Sequence, residues 1–152
     1  EETHLRTKKQ FMTDLAVLLG GYVSEEMTFG DISTGASSDL ESVSELARRL
    51  VTKFGMSKKL GPITYGKTEE LVFLGREIAT EKNYSEKVAA EIDKEVKSFV
   101  DAALGTAKKI IFSRKKVLKA IAKKLMEKET LEREEFDALI KGFKLKPVAI
   151  AA

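Results

Sequence analysis

From Leu40 to Phe54 the apolar residues Leu40, Val43, Leu46, Ala47, Leu50, Val51 and Phe54 recur at the three- and four-residue spacing of one helical face. The same period returns through most of the chain, and this limits the fold more than any other feature. A first stretch, from Thr3 to Met27, carries Leu5, Met12, Leu15, Leu19, Val23 and Met27, with Phe11 and Leu18 beside them. A third opens at Ser85, which can cap a helix, and runs through Val88, Ile92, Val96, Phe99, Ala103, Ala107 and Ile110, with Gly105 as a place to bend. Lys115–Lys128 carries Val117, Leu118, Ile121 and Leu125, and a last helix turns Phe136, Leu139 and Ile140 inward.

The punctuation fits that reading. Gly20 and Gly21 interrupt the first stretch at a cost of about 1 kcal/mol each relative to alanine in a helix interior, so a packing reason is expected for them. Gly30 closes it. Ser38 followed by Glu41 three residues later predicts a capping box at the start of the 40–54 helix, and Gly55 is a natural stop. Residues 56–84 keep no helical period; Gly61-Pro62, Gly66 and Gly75 break them up, and "PITY" and "LVFL" are candidates for two short strands. The predicted class is all-α, with a short irregular or β-hairpin insert near 56–84. One domain is expected over residues 1–146, with 147–152 a frayed tail after Pro147.

With 152 residues, 43% hydrophobic and 34% charged, the chain can bury a real core. It has no cysteine, so disulfides and thiolate metal sites are excluded. A net charge of +3 is too mild to announce a nucleic-acid binder. The apolar run Leu15–Val23 is far short of a membrane span. The chain opens on "EETHL" without an initiator methionine and reads as a piece of a longer protein.

Several motifs invite chemistry. "GPITYGKT", Gly61–Thr68, fits the pattern of a phosphate-binding loop, but a proline removes one backbone N–H and neither a buried strand before it nor a helix after it is visible. It reads as a turn-rich loop. Nine Lys or Arg lie between Lys108 and Lys128 against one acid, Glu127, a surface that could grip phosphates. The aromatic residues of a single-strand binder are missing there, and the lysines alternate with the apolar stripe as on a solvated helix face. The single histidine, His4, has no second histidine to complete a metal pair. Glu25 and Glu26 sit where the helix dipole disfavours acids, so they either answer a nearby cation or are plain surface residues. Asp39, in "GDISTGASSDLESVSEL", is open to two readings: an acid that starts a helix, or a carboxylate held beside a metal.

The run "LLGGYVSEEMTFGDISTGASSDLESVSELARRLVTKFGMSKKLGPITYG", continued by "VFLGRE", "NYSEKVAAEIDKEVKSF" and "KKLMEKETLEREEF", resembles the C-terminal half of the FtsH peptidase domain. That family comprises membrane-anchored, ATP-dependent AAA+ zinc metalloproteases. The "FG-x-x-STGAS-x-D-L" block is its most specific part, and the likeness covers nearly the whole chain.

The resemblance implies that zinc is held by two histidines of a His-Glu-x-x-His helix and by the aspartate of "STGAS-x-D", which is Asp39 here. It also implies that Glu25 lies close by and supports the site from just outside the metal's ligands. No His-Glu-x-x-His occurs in these residues. The chain is therefore expected to hold one zinc ligand and no general base, to be inactive alone, and not to bind zinc tightly. Smaller departures are Tyr22, where arginine is frequent, and Ser38, where asparagine is common.

For the longer protein the resemblance implies protein substrates, both membrane and soluble. It implies ATP and magnesium in a separate ATPase module, a hexameric ring, and a membrane anchor with the peptidase on the cytoplasmic side. The chain itself is expected to be soluble and to bind no nucleic acid. The alternatives are a non-catalytic helical assembly module and, behind it, a nucleic-acid-binding helical domain that uses the 108–128 lysines. Self-association is also expected, because Phe11, Met12, Leu15 and Leu18 span more than one narrow stripe and would be uncovered without an upstream helix.

Overall fold

The computed structural model describes residues 5–69 and 79–150. In chain order the elements are α1 (Lys8–Leu18), α2 (Gly20–Phe29), a 3₁₀ turn (Thr34–Ala36), α3 (Ser37–Thr52), β1 (Lys67–Glu69), β2 (Ala79–Glu81), α4 (Glu86–Ser113), α5 (Lys115–Lys128) and α6 (Arg133–Gly142). The fold is all-α with a small hairpin insert, as the periodicity predicts.

Four helices make the body. α1, α3 and α4 pack on one another, and α2 packs on α4. Met12, Leu15, Val23, Val43, Leu50, Val51 and Ile92 are fully buried where they meet. Each such side chain contributes about 1.5–3 kcal/mol relative to leaving it exposed. Phe11 stacks on Phe54 with centroids 5.2 Å apart, tying the start of α1 to the end of α3. Phe11, Met12 and Leu15 therefore face the core, because α1 is pressed between α3 and α4 over a wide arc. They do not form the uncovered patch expected of them. The exposed apolar residues near this end are Leu5, Val17, Phe29 and Ile32.

The helix ends explain the boundaries. Thr7 caps α1 in a capping box with Gln10. Leu19 sits between α1 and α2 in helical conformation, so the chain only jogs there. A side chain on Gly20 would meet nothing within 4 Å, so the glycine pair does not serve a tight helix–helix approach. Gly30 ends α2 in the left-handed conformation, φ 67°. The predicted capping box at Ser38 is not formed. Ser33 accepts instead from Gly35 N–H, which starts a 3₁₀ turn that flows into α3 one residue before Ser38. Ser85 caps α4 as predicted, accepting from Val88 N–H, and α4 runs unbroken through Gly105.

The insert differs in detail from expectation. "PITY" is loop, with Ile63 exposed, and "LVFL" lies outside the described residues. The strands are Lys67–Glu69 and Ala79–Glu81, antiparallel, with Thr68 opposite Thr80. The loop before them is pinned to the body. Tyr65 N–H donates to Thr52 O at 2.8 Å, and Gly66 N–H to Asn83 Oδ1 at 2.6 Å. Buried Ser57 donates to Glu95 of α4 and accepts from Leu60 N–H.

α5 and α6 form a hairpin outside the body. α5 packs on α4 at its start, where Val117 is buried, and α6 packs on α5. No residue of α6 is buried; Leu139 and Ile140 are half-covered, and Phe136, expected to face inward, stays 39% exposed. A two-helix hairpin has too little facing surface to bury three apolar positions.

Candidate functional site

Asp39 is the third residue of α3 and the acid of its first turn, so its carboxylate meets the positive end of the helix. It caps no backbone N–H, so its part in starting the helix is through the dipole alone. The side chain is exposed, and it takes part in no hydrogen bond or ion pair among the described residues. It faces the start of α2: a Cβ built on Gly21 would lie 4.0 Å from Asp39 Oδ2. The first turn of α3, preceded by the Ser33 turn, places a free carboxylate beside the start of α2.

Glu25 lies one turn beyond Gly21 on the same face of α2, the i,i+4 relation that makes helical residues neighbours. It is half-buried and makes no ion pair or hydrogen bond among the described residues. Its neighbour Glu26 is used differently: Lys108 Nζ of α4 lies 3.5 Å from its carboxylate. That lysine offsets one of the two acids at an end the dipole makes unfavourable, and leaves the other free.

The donor set is small. No cluster of three His, Cys, Asp or Glu side chains is placed to hold a metal among the described residues. A zinc site needs three or four protein ligands. The free carboxylates on these two helices, Asp39 and Glu25, are too few to hold zinc by themselves, and no chemical step follows from them alone. His4 lies outside the described residues.

Gly61–Thr68 does not make a phosphate cradle. Gly61 and Gly66 turn the chain at positive φ, and Lys67 opens strand β1 where a phosphate-binding loop would open a helix. The basic run is partly spent inside the molecule. Lys108 pairs with Glu26, Lys124 with Glu127, Lys128 with Glu135, and Arg114 donates to Lys146 O. Among the described residues no helix is long and apolar enough to cross a membrane.

Spacing alone did not find Gly21 facing Asp39, nor Lys108 reaching Glu26. The glycine pair signalled something special at 20–21, but which element it faced depends on how α2 and α3 pack.

The first turn of α3 thus sets the free Asp39 carboxylate beside Gly21 of α2, whose face also carries the unpaired Glu25. The sequence matches the family model described as Peptidase family M41 over residues 1–139, and the chain belongs to that family. It is 52% identical over 139 residues to the ATP-dependent zinc metalloprotease FtsH 1 of Thermomicrobium roseum, covering 91% of this chain and 21% of that one. It is 46% identical over 152 residues to the ATP-dependent zinc metalloprotease FtsH of Chloroflexus aggregans, covering 99% and 23%. With FtsH of Thermotoga maritima the identity is 44% over 140 residues, covering 92% and 23%. The chain thus spans between a fifth and a quarter of the length of these relatives.

Proposed function

We propose that this chain is the C-terminal part of the peptidase unit of an ATP-dependent zinc metalloendopeptidase, and that Asp39 is the zinc ligand it contributes. The observation that carries the reading is the free Asp39 carboxylate, held by the first turn of α3 and facing Gly21, inside a sequence of peptidase family M41. Zinc, when bound, supplies a water of lowered pKa and polarises the scissile carbonyl. Asp39 would hold the metal. Glu25, on the face of α2 that carries Gly21, would help orient the site from outside the ligand set. The remaining ligands and the general base belong to a His-Glu-x-x-His helix that these residues lack, so the chain alone is inactive and binds zinc weakly.

For the whole protein the same reading gives protein substrates, a hexameric ring, a membrane anchor with the peptidase on the cytoplasmic side, and an ATPase module using ATP and magnesium. It gives no role to nucleic acid. A second reading, a helical assembly module, is favoured by the α5–α6 hairpin, whose Leu125 and Phe136 stay 40% and 39% exposed. The two readings concern different parts of the chain and are compatible.

The test is casein hydrolysis by the longer polypeptide that contains this chain, beside the chain itself. The expected result is ATP-supported hydrolysis by the longer protein, abolished by a zinc chelator and restored by zinc, and none by the chain. Chelator-resistant hydrolysis by the longer protein, or hydrolysis by the chain alone, would overturn the reading.

A further inference from the structure

After α6 the chain does not simply trail away. Phe143 and Lys144 turn it by bonding back to Ile140 O and Lys141 O, with Lys144 at φ 49°. The residues that follow run back along α4. Arg114 Nη2 donates to Lys146 O. Ile150 is half-buried against the core cluster. It sits over an apolar groove between α1 and α4 lined by Thr13, Ala16, Val17, Ala107, Ile110 and Ile111. Ala149 beside it shares the lining of a shallow hollow with Gly105 and Lys109.

Arg114 has a second position of interest. It is at once the C-terminal cap of α4 and the N-terminal cap of α5, with φ −118° and ψ 24°, outside helical geometry. It is therefore the joint on which the α5–α6 hairpin hangs. The hairpin has little else to hold it, since α5 meets the body near its start and α6 packs on α5. A free terminal segment gains nothing by ordering itself unless it is tied down. Here it is tied at two points, both on α4 or the groove beside it.

We propose that residues 144–150 are a strap that sets the orientation of the α5–α6 hairpin on the body. Arg114 is the hinge and the latch, and Ile150 is the anchor. The apolar groove between α1 and α4 is thus walled on one side by this chain's own Ile150. The hairpin is closed at both ends: by the α4–α5 joint and by the returning tail. Losing the anchor opens the second end and lets the hairpin swing about Arg114.

The chain has no cysteine, so single and paired labels can be placed on the full chain. A nitroxide at Ala149→Cys should broaden the amide resonances of Gly105 and Lys109, and Ile150→Asp should remove that broadening. Paired labels at Met126→Cys on α5 and Glu41→Cys on α3 should give one narrow distance distribution by electron–electron resonance. Ile150→Asp should widen it, and Ile150→Leu should keep it narrow. If Ile150→Asp disturbs the body itself, Arg114→Gln, which removes the charged latch and leaves Ile150 in place, should still widen the paired-label distribution. Absence of broadening at Gly105 and Lys109 in the otherwise unaltered chain, or a distribution that neither Ile150→Asp nor Arg114→Gln changes, would overturn the strap.

Discussion

A side-chain carbon placed on Gly21 would stand 4.0 Å from Oδ2 of Asp39, so the head of α2 lies beside the head of α3. That distance is ordinary van der Waals contact, and Gly21 has no positive φ that a larger residue would strain. Gly21→Ala should therefore leave the fold intact and add up to about 1 kcal/mol of helix propensity. Urea unfolding of the chain measures it. A loss of more than about 1 kcal/mol would mean that the spacing at Gly21 is needed for folding.

Glu25 shares its helix face with Gly21 and has no partner of its own among the described residues. In the longer protein, Glu25→Gln should weaken zinc affinity or peptidase activity about 10–100-fold, the usual cost of removing a group that orients a metal's ligands. Glu26→Gln, which loses only the exposed pair with Lys108, should change neither. Equal effects of the two substitutions would remove the special role given to Glu25.

Gly55 is a different kind of glycine. Its φ is 58°, and a Cβ there would lie 3.0 Å from Cα of Pro62, a backbone atom that cannot turn aside. Gly55→Ala should cost about 2–3 kcal/mol, part from the left-handed backbone and part from pushing the 56–66 loop off the end of α3. The readout is the urea midpoint; a change below about 0.5 kcal/mol would show that the loop is not held this closely.

The loop is also held by charge, which sets a pH dependence. Lys59 Nζ lies 2.6 Å from Glu91 of α4. The hydrogen bonds from Lys59 and then Lys94 hold the Glu91 carboxyl below its ordinary 4.5, and the same bond to Glu91 holds Lys59 above 10.5. A depressed acid stabilises fully above its unfolded value and loses this as pH falls through its folded value; a raised amine stabilises fully below its unfolded value and loses this as pH rises through its folded one. The pair therefore contributes constantly between 4.5 and 10.5, and is lost on the acid side by Glu91 and on the alkaline side by Lys59. The stability difference between the unaltered chain and Glu91→Gln should be flat from about pH 6 to 9 and shrink below pH ~4. A difference that stays constant down to pH ~3 would contradict the assignment.

The helices were legible where one narrow stripe met one partner. The 40–54 stripe, the Ser85 cap and the Lys115–Lys128 span all carry local signals that tertiary packing leaves unchanged. The start of α3 was not legible, because Ser33, Ser37 and Ser38 are chemically equivalent caps and only the 3₁₀ turn chooses among them. "PITY" reads as a strand from Ile63 and Tyr65, yet Tyr65 is bonded back to the end of α3 and cannot pair with a second strand. Phe11, Met12 and Leu15 look like too wide a stripe until α1 is seen between two helices. Asp39's place in a first turn is written in its neighbours; its part in a metal site is suggested only by the family motif. The Gly21–Asp39 approach joins residues eighteen positions apart and exists only in the folded chain.

The central claim is that Asp39 binds zinc, and the most direct measurement is the zinc content of the purified longer protein with Asp39→Asn. Asparagine is tolerated at a helix start, and Asp39 has no partner to lose among the described residues, so helicity and unfolding midpoint should stay within about 1 kcal/mol of the parent. Zinc should fall from about one ion per chain to near zero, with casein hydrolysis lost alongside it. An Asp39→Asn protein that retains its zinc and its hydrolysis would contradict the account.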